Sequence, residues 1–133
     1  MSIGVDLTEL HATLSGLERP PYLLTVGDDG RAHCVAVTYQ WRDDELALGA
    51  GNRTMANATA RPNVSLLWPP NEPSGYSLIV DGDVTHTEGT GGGDNVVVVR
   101  PSRAVLHRAA DGSPPADGCG ADCVPLHDRA SAD

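Results

Sequence analysis

Apolar and polar residues follow two patterns along this 133-residue chain, one typical of a helix and one typical of β-strands. Near the N-terminus, Leu7, Leu10 and Leu14 recur at helical spacing after the capping residue Asp6, which predicts a short amphipathic helix ending near Gly16. Further along, six apolar segments separated by turn residues predict six strands. These strands cover Tyr22–Val26, Arg31–Trp41, Leu46–Gly51, Asn63–Trp68, Tyr76–Thr85 and Val96–His107.

The connections between these segments favour an antiparallel sheet. Asp29-Gly30 joins the first two strands and is a strong hairpin signal. A second short helix is predicted over Met55–Ala60, and the remaining early connections are too short for the crossovers that parallel strands need. Gly82 is expected to form a bulge, and Pro101 to break or bend the last strand.

The sequence therefore predicts a mostly β protein, a six-stranded antiparallel barrel or curled sheet with two short helices. This domain is expected to span residues 1–108. Residues 109–133 are rich in Pro, Gly and Asp, which predicts a flexible C-terminal tail.

Charge limits the classes of partner. The chain has 18 acidic and 9 basic residues, a formal net charge of −9, and none of the basic residues is a lysine. Nucleic acids and anionic membranes are held by a basic field, so neither is expected as a partner. No apolar run approaches the ~18 residues of a membrane span. The N-terminal residues have no basic leader and no apolar block, so a secretory signal is not expected, and three cysteines do not suggest a disulfide framework. These features predict a cytoplasmic protein.

The segment from Gly49 to Asn57 is the strongest candidate for a binding site. A predicted strand ends there, glycines allow the backbone to turn, and Arg53 and Thr54 stand at a helix start. Free N–H groups, the helix dipole and a guanidinium together favour an anion. The alternative is a capped helix, with Thr54 as the N-cap and Arg53 solvated.

The order of the motifs adds a resemblance to a known family. Tyr22–Val26 with its Asp-Gly turn is followed by Arg53–Leu66, which contains Arg-x-Pro-x-Val-Ser, then by Ile79–Val84 and Arg100–Val105. This set, over about residues 20–107, resembles the pyridoxamine 5'-phosphate oxidase-like FMN-binding split-barrel family, in a short actinobacterial form.

The resemblance implies a split β-barrel that forms a homodimer, with FMN, or alternatively a deazaflavin coenzyme, at the interface. The cofactor's phosphate would be held where the short helix begins, and its ring would lie on the second strand. The matching positions are Arg53, Thr54 and Asn57 for the phosphate, and Val35, Ala36, Val37 and Tyr39 for the ring.

The implied activity is an oxidoreductase-like transfer of a hydride to an unknown small substrate. The connection over Glu88–Asp94 is short and glycine-rich, which argues against a true pyridoxamine phosphate oxidase. The cofactor carries the hydride in such chemistry, so no catalytic side chain is assigned.

The tail suggests another function. Cys119, Cys123 and His127, with His107 upstream, are residue types that bind zinc. A metal site, a redox or disulfide pair, and free thiols all remain open. The alternative function is therefore a non-catalytic cofactor-binding module, or a metal- or redox-sensing module that uses the Cys119/Cys123 tail.

Overall fold

The structure, a computed structural model, describes residues 1–89 and 94–109. In those residues two helices and one 3-10 turn accompany eight strands. The strands are β1 (Ser2–Val5), β2 (Tyr22–Val26), β3 (Ala32–Ala36), β4 (Tyr39–Arg42), β5 (Glu45–Ala50), β6 (Asn63–Trp68), β7 (Ser77–Glu88) and β8 (Asn95–His107). The 3-10 turn is Leu7–Glu9, and the helices are α1 (Leu10–Ser15) and α2 (Asn52–Ala60).

The strands form one antiparallel sheet that curls without closing. Its order is β3-β2-β6-β7-β8-β5-β4, and β1 also pairs with β8. The predicted mostly β, split-barrel architecture with two short helices is confirmed. No helix in the described part of the chain is long and apolar enough to cross a membrane.

The number of strands is eight rather than six. The predicted run Arg31–Trp41 divides into β3 and β4, because the chain changes partners between them. The Val37 N–H donates to the carbonyl of Pro21 at 3.0 Å, and the Thr38 carbonyl accepts from the N–H of Gly49 at 3.1 Å. The other additional strand, β1, contains only four residues and depends on β8 for its pairing.

The N-terminal helix begins as a 3-10 turn and continues as α1. Asp6 caps it as predicted, because its Oδ1 accepts from the Thr8 N–H at 2.9 Å and from the Thr8 hydroxyl at 2.8 Å. Leu10 and Leu14 are buried, whereas Leu7 is exposed. The helix therefore covers the barrel with two of its three periodic leucines.

One face of the sheet forms the core. Leu23, Leu66, Val80 and Ala104 lie side by side on four adjacent strands, and all four are buried. Burying a leucine or valine side chain stabilises the fold by roughly 1.5–3 kcal/mol. The alternation of strand residues thus places a continuous apolar layer inside the barrel.

Bulges bend the two long strands. The register of β7 against β8 shifts between Asp81 and Gly82, next to the predicted position, but the extra residue of this bulge is Ser102 of β8 and not Gly82. A Cβ on Gly82 would lie 2.6 Å from Val99 Cγ1 and 2.7 Å from the carbonyl oxygen of Arg100. The strand β8 is not broken at Pro101 but continues without interruption from Asn95 to His107.

Candidate functional site

Helix α2 begins earlier than the sequence pattern predicts. Its N-cap is Gly51, with extended backbone, and the first helical hydrogen bond runs from the Met55 N–H to the Gly51 carbonyl at 3.0 Å. Arg53 and Thr54 therefore lie in the first turn, where N–H groups have no partner within the helix and the helix dipole is positive. Thr54 is buried within this turn and does not occupy the N-cap.

Two side-chain hydrogen bonds fix α2 to the sheet. The Asn57 amide donates to the Thr25 hydroxyl on β2 at 3.2 Å, and both residues are buried. At the first residue of α2, the Asn95 amide on β8 donates to Asn52 Oδ1 at 2.8 Å. Helix α2 is consequently held in place by two strands that are distant in sequence.

Arg53 differs in charge pairing from most arginines of the chain. It is exposed, and within residues 1–89 and 94–109 no carboxylate lies within ion-pair distance of it. Five other arginines do pair with carboxylates. The pairs are Arg31–Asp29 (3.9 Å), Arg42–Glu88 (2.8 Å), Arg61–Asp28 (2.6 Å), Arg100–Glu45 (3.6 Å) and Arg103–Asp81 (3.7 Å). The positive charge of Arg53 is thus available to an anion.

Arg53 lies on a cavity of about 610 Å³, which we call the α2 cavity. It is formed by α2, the β2–β3 turn and the start of β3. Its lining residues are Gly27, Asp28, Asp29, Arg31, Ala32, His33, Arg53, Ala56 and Asn57. The Arg61 guanidinium holds Asp28 at 2.6 Å, and Asp29 accepts from the backbone N–H of Arg31 at 3.0 Å, so both turn carboxylates are engaged.

His33 adds an unusual feature to the same cavity. Its Nδ1 atom is buried and makes no hydrogen bond to any described residue. A buried polar atom without a partner costs about 1–3 kcal/mol. A bound anion or a water could therefore supply the hydrogen bond that His33 Nδ1 lacks.

A second cavity, of about 530 Å³, lies between β3 and β5; we call it the β3–β5 cavity. Its walls are made mainly of small and β-branched residues. They are Ala36, Val37, Thr38, Gly49, Ala50, Asp94, Asn95 and Val96. A Cβ on Gly49 would lie 2.8 Å from Thr38 Oγ1, so glycine at this position keeps the wall open.

Strand β3 connects the two cavities. His33 lines the first and Val37 the second. Four residues of extended chain separate them, which corresponds to ~13 Å at the rise of a strand. The two cavities thus lie along one strand, with a cationic helix start beside the first and mainly small and β-branched residues around the second.

The predicted site residues divide between these cavities and the core. Arg53 and Asn57 line the α2 cavity, and Ala36 and Val37 line the β3–β5 cavity. Thr54 is buried beside them in the first turn of α2.

The remaining two predicted residues face the barrel interior. Val35 and Tyr39 are partly buried and pack against the core. The Tyr39 ring lies edge-on to Trp68, with the ring centroids 5.3 Å apart.

Sequence reasoning missed Arg31 and His33 as site residues. The signal was available in the hairpin: Gly30, with φ of +80°, ends the tight turn, and the residues that follow it pair directly with β2. Alternation along β3 then places His33 and Val35 on the same face of the sheet.

The tail candidates cannot be compared with this site. Cys119, Cys123 and His127 lie outside the described residues. His107 is described, and its Nδ1 is 3.1 Å from the Ser2 hydroxyl. The described part of the chain contains no group of three metal-ligating side chains.

Comparison with known proteins identifies close relatives in mycobacteria. No family model matches the chain. Uncharacterized protein Mb0449c of Mycobacterium bovis and uncharacterized protein MT0457 of Mycobacterium tuberculosis are each 42% identical to it, over 90% of this chain and 93% of theirs.

Solved structures share the fold at low sequence identity. An F420 reductase is 24% identical with a TM-score of 0.55, over 68% of this chain and 93% of its own. A pyridoxamine 5'-phosphate oxidase-like protein from Listeria innocua is 16% identical with a TM-score of 0.59, over 75% and 96%. An FMN-binding protein from Syntrophomonas wolfei is 13% identical with a TM-score of 0.57, over 75% and 84%. These similarities concern the fold.

Proposed function

We propose that this chain binds a flavin-type cofactor and transfers a hydride to a small substrate. The chain belongs to the same family as the two mycobacterial proteins and has the pyridoxamine 5'-phosphate oxidase-like split-barrel fold. The observation that carries the proposal is Arg53 in the first turn of α2, which lines the α2 cavity and has no carboxylate partner among the described residues. FMN is the favoured cofactor and a deazaflavin coenzyme the alternative. The F420 reductase and the FMN-binding protein from Syntrophomonas wolfei have the same fold.

The α2 cavity fits the phosphate end of such a cofactor. Arg53 offers a planar fork of N–H donors, and the first-turn N–H groups of α2 point the same way as the positive end of the helix dipole. Asn57 fixes the helix through Thr25, so it acts by positioning Arg53. The net charge of −9 repels anions in general, so a phosphate would have to be held at one concentrated cationic point.

The β3–β5 cavity fits the ring end. Ala36 and Gly49 present little side-chain bulk, and Val37 gives an apolar contact. When bound, a flavin or deazaflavin would supply the hydride chemistry. The chain's own residues would hold the ring against β3 and limit the access of water.

The homodimer belongs to the same proposal. On the outer face of the sheet, Ala36, Tyr22, Leu67 and Ile79 lie side by side on four adjacent strands. Tyr22 is 39% exposed, and nearby Val26 is 38% exposed. Large exposed apolar patches mark interaction sites.

Titration with FMN tests the proposal. Purified wild-type chain is expected to bind FMN with micromolar or tighter affinity, and Arg53→Ala is expected to weaken binding at least tenfold. Arg19→Ala is the matched control, because Arg19 is also exposed and has no carboxylate partner among the described residues. A parallel titration with the deazaflavin decides between the two cofactors.

Two outcomes would contradict the proposal. If neither cofactor binds the wild-type chain, the flavin assignment fails. In the second outcome, FMN binds but shows no cycles of reduction and reoxidation when a reductant and candidate acceptors are supplied. The chain would then carry the cofactor without using it, and only the hydride-transfer part of the proposal would fail.

A further inference from the structure

The α2 cavity contains charged groups besides Arg53, and they belong to the β2–β3 turn and the residue that follows it. Its lining includes the carboxylates of Asp28 and Asp29 and the guanidinium of Arg31. The turn precedes β3, and β3 runs on from the α2 cavity to the β3–β5 cavity. A cofactor that lies along β3 with its phosphate at Arg53 therefore has an acidic turn beside its phosphate end.

The cations beside this turn are already engaged. The Arg61 guanidinium donates through Nε to a backbone carbonyl of β2 at 2.7 Å and through Nη2 to Asp28 Oδ1 at 2.6 Å. The backbone N–H of Arg31 donates to Asp29 Oδ1 at 3.0 Å, and its Nε lies 3.9 Å from Asp29 Oδ2. Among the described residues that line the cavity, Arg53 is then the guanidinium without a carboxylate.

This pairing leaves cationic capacity for one phosphate group. A phosphate monoester carries a charge of about −1.5 to −2 near pH 7, and Arg53 with the first-turn N–H groups of α2 provides donors for its terminal oxygens. Anionic groups beyond the phosphate would approach Asp28 and Asp29, in a chain whose net charge is −9, and like charges repel. Residues 110–133 contain five aspartates and one arginine, so their composition does not reverse this balance.

The two cofactors named above differ at this end of the molecule. FMN ends at a phosphate monoester, whereas the deazaflavin coenzyme continues beyond its phosphate into a tail with glutamate carboxylates. We propose that Asp28 and Asp29 make the α2 cavity selective for a cofactor that ends at its phosphate, and against one with an anionic tail. This inference rests on the proposed function, and it narrows the cofactor to the FMN type.

Binding of two deazaflavin ligands tests the selectivity, because both have the same ring. One is the coenzyme with its tail, and the other is the deazariboflavin 5'-phosphate, which ends at a phosphate monoester. We expect the full chain to bind the tailed ligand at least tenfold more weakly. Fluorescence titration gives the ratio of the two dissociation constants, in which the contribution of the ring cancels.

Asparagine substitutions assign the selectivity to the β2–β3 turn. Asp28→Asn combined with Asp29→Asn keeps a side-chain oxygen as acceptor in both hydrogen bonds and removes two charges from the cavity. We expect this double variant to lower the ratio at least fivefold.

Asp43→Asn combined with Asp44→Asn is the matched control. These residues form the β4–β5 turn, line neither the α2 cavity nor the β3–β5 cavity, and have positive φ values that asparagine tolerates. The control removes the same charge from the chain and should change the ratio by less than twofold. Thermal unfolding shows whether both double variants are folded.

Ionic strength provides a second measurement of the same repulsion. Between about 0.01 M and about 1 M salt, the screening length falls from about 30 Å to about 3 Å. Repulsion of the tail predicts that the ratio falls as salt is added, and that it falls less in the variant without the two turn carboxylates. A basic subsite for the tail would give the opposite trend, since salt would then weaken the tailed ligand more strongly.

The selectivity is overturned if the wild-type chain binds both deazaflavin ligands with equal affinity, or if the two folded double variants give the same ratio. Either result leaves the flavin-type site of the proposed function intact. If FMN binds but deazariboflavin phosphate does not, the ring and not the turn sets the selectivity, which also overturns the inference. If none of the three ligands binds, the proposed function and this inference fail together.

Discussion

In the β7–β8 ladder, polar side chains pair with other groups of the sheet. At the start of α2, by contrast, the Arg53 guanidinium has no carboxylate partner among the described residues. Asp81 accepts from the Ser65 hydroxyl at 2.7 Å and lies 3.7 Å from Arg103. Ser102, the extra residue of the bulge, donates to the Asp81 carbonyl at 3.1 Å. Arg53 has no such partner among the described residues, although the chain has twice as many acidic residues as basic ones.

This difference separates residues that stabilise the fold from residues available to a ligand. An exposed ion pair contributes only about 0–1 kcal/mol, so pairing Arg53 would add little stability. Because the Arg53 guanidinium lies in the first turn of an anchored helix, it creates an anion site whose donors point in a fixed direction. Substitutions in the two regions should therefore affect different measurements.

The largest effect on stability is expected at Gly82. Gly82→Ala places a Cβ 2.6 Å from Val99 Cγ1 and 2.7 Å from a backbone oxygen, and backbone cannot move aside cheaply. We expect the free energy of unfolding to fall by about 3 kcal/mol. Urea denaturation measures it.

Gly16→Ala is the control for this prediction, because the nearest atom to the added Cβ is 3.6 Å away. Equal stability of the two variants would show that the backbone at the bulge can move to make room for the added Cβ. The β7–β8 ladder would then not be the rigid part of the fold that the comparison with α2 requires.

The next largest effect is expected at Thr25. Thr25→Val removes the acceptor of the Asn57 amide and leaves that buried N–H group unsatisfied. The free energy of unfolding should fall by about 1–3 kcal/mol. FMN affinity should fall with it, since α2 loses its anchor on β2.

Thr59 provides the contrasting position on the same helix. It is exposed, and its hydroxyl bonds only to the Met55 carbonyl one turn earlier. Thr59→Ala is expected to change unfolding by less than ~0.5 kcal/mol and to leave FMN affinity unchanged. Loss of FMN affinity in Thr59→Ala alone would contradict the anchoring role given to Thr25 and Asn57.

A smaller effect, on ligand binding, is expected at Gly49. A Cβ there approaches Thr38 Oγ1 to 2.8 Å, and the Thr38 side chain can turn away. Gly49→Val should therefore narrow the β3–β5 cavity while the fold survives. We expect FMN and riboflavin to lose affinity by the same factor, about tenfold, or 1.4 kcal/mol. A loss confined to FMN would place the ring elsewhere.

The smallest effect concerns pH. His86 and Arg42 donate to the Glu88 carboxylate at 3.0 and 2.8 Å, and these hydrogen bonds lower the pKa of Glu88 below its ordinary value of 4.5. A lowered pKa in the folded state stabilises the protein above the ordinary value, and this stabilisation is lost as pH falls through the folded pKa.

Thermal unfolding at neutral and acidic pH measures this contribution. Between pH 7 and pH ~3, the wild type should lose slightly more thermal stability than Glu88→Gln, which has no charge to lose. The opposite order would mean that the Arg42–Glu88–His86 contacts do not persist in solution.

Much of the fold follows from local sequence patterns. The Asp-Gly turn, the Asp6 cap and a bulge near Gly82 were each predicted from residue types whose backbone preferences act within a few positions. The division of residues 31–41 into β3 and β4 was not, because it depends on hydrogen bonds to Pro21 and Gly49 that the local pattern does not encode.

The site was predictable in part for the same reason. Arg53 and Thr54 were predicted from the strand–glycine–helix order, and Asn57, Ala36 and Val37 from the resemblance. Arg31 and His33 reach the α2 cavity through the hairpin, and Tyr39 turns toward Trp68. Those positions depend on which face of a strand meets which element, a tertiary property.

Comparing FMN with riboflavin tests the central claim most directly, because riboflavin lacks the phosphate. If Arg53 holds the phosphate, Arg53→Ala should lower the affinity for FMN at least tenfold and leave the affinity for riboflavin within twofold of the wild type. The claim is contradicted if Arg53→Ala weakens both ligands equally, or if the wild-type chain binds riboflavin as tightly as FMN.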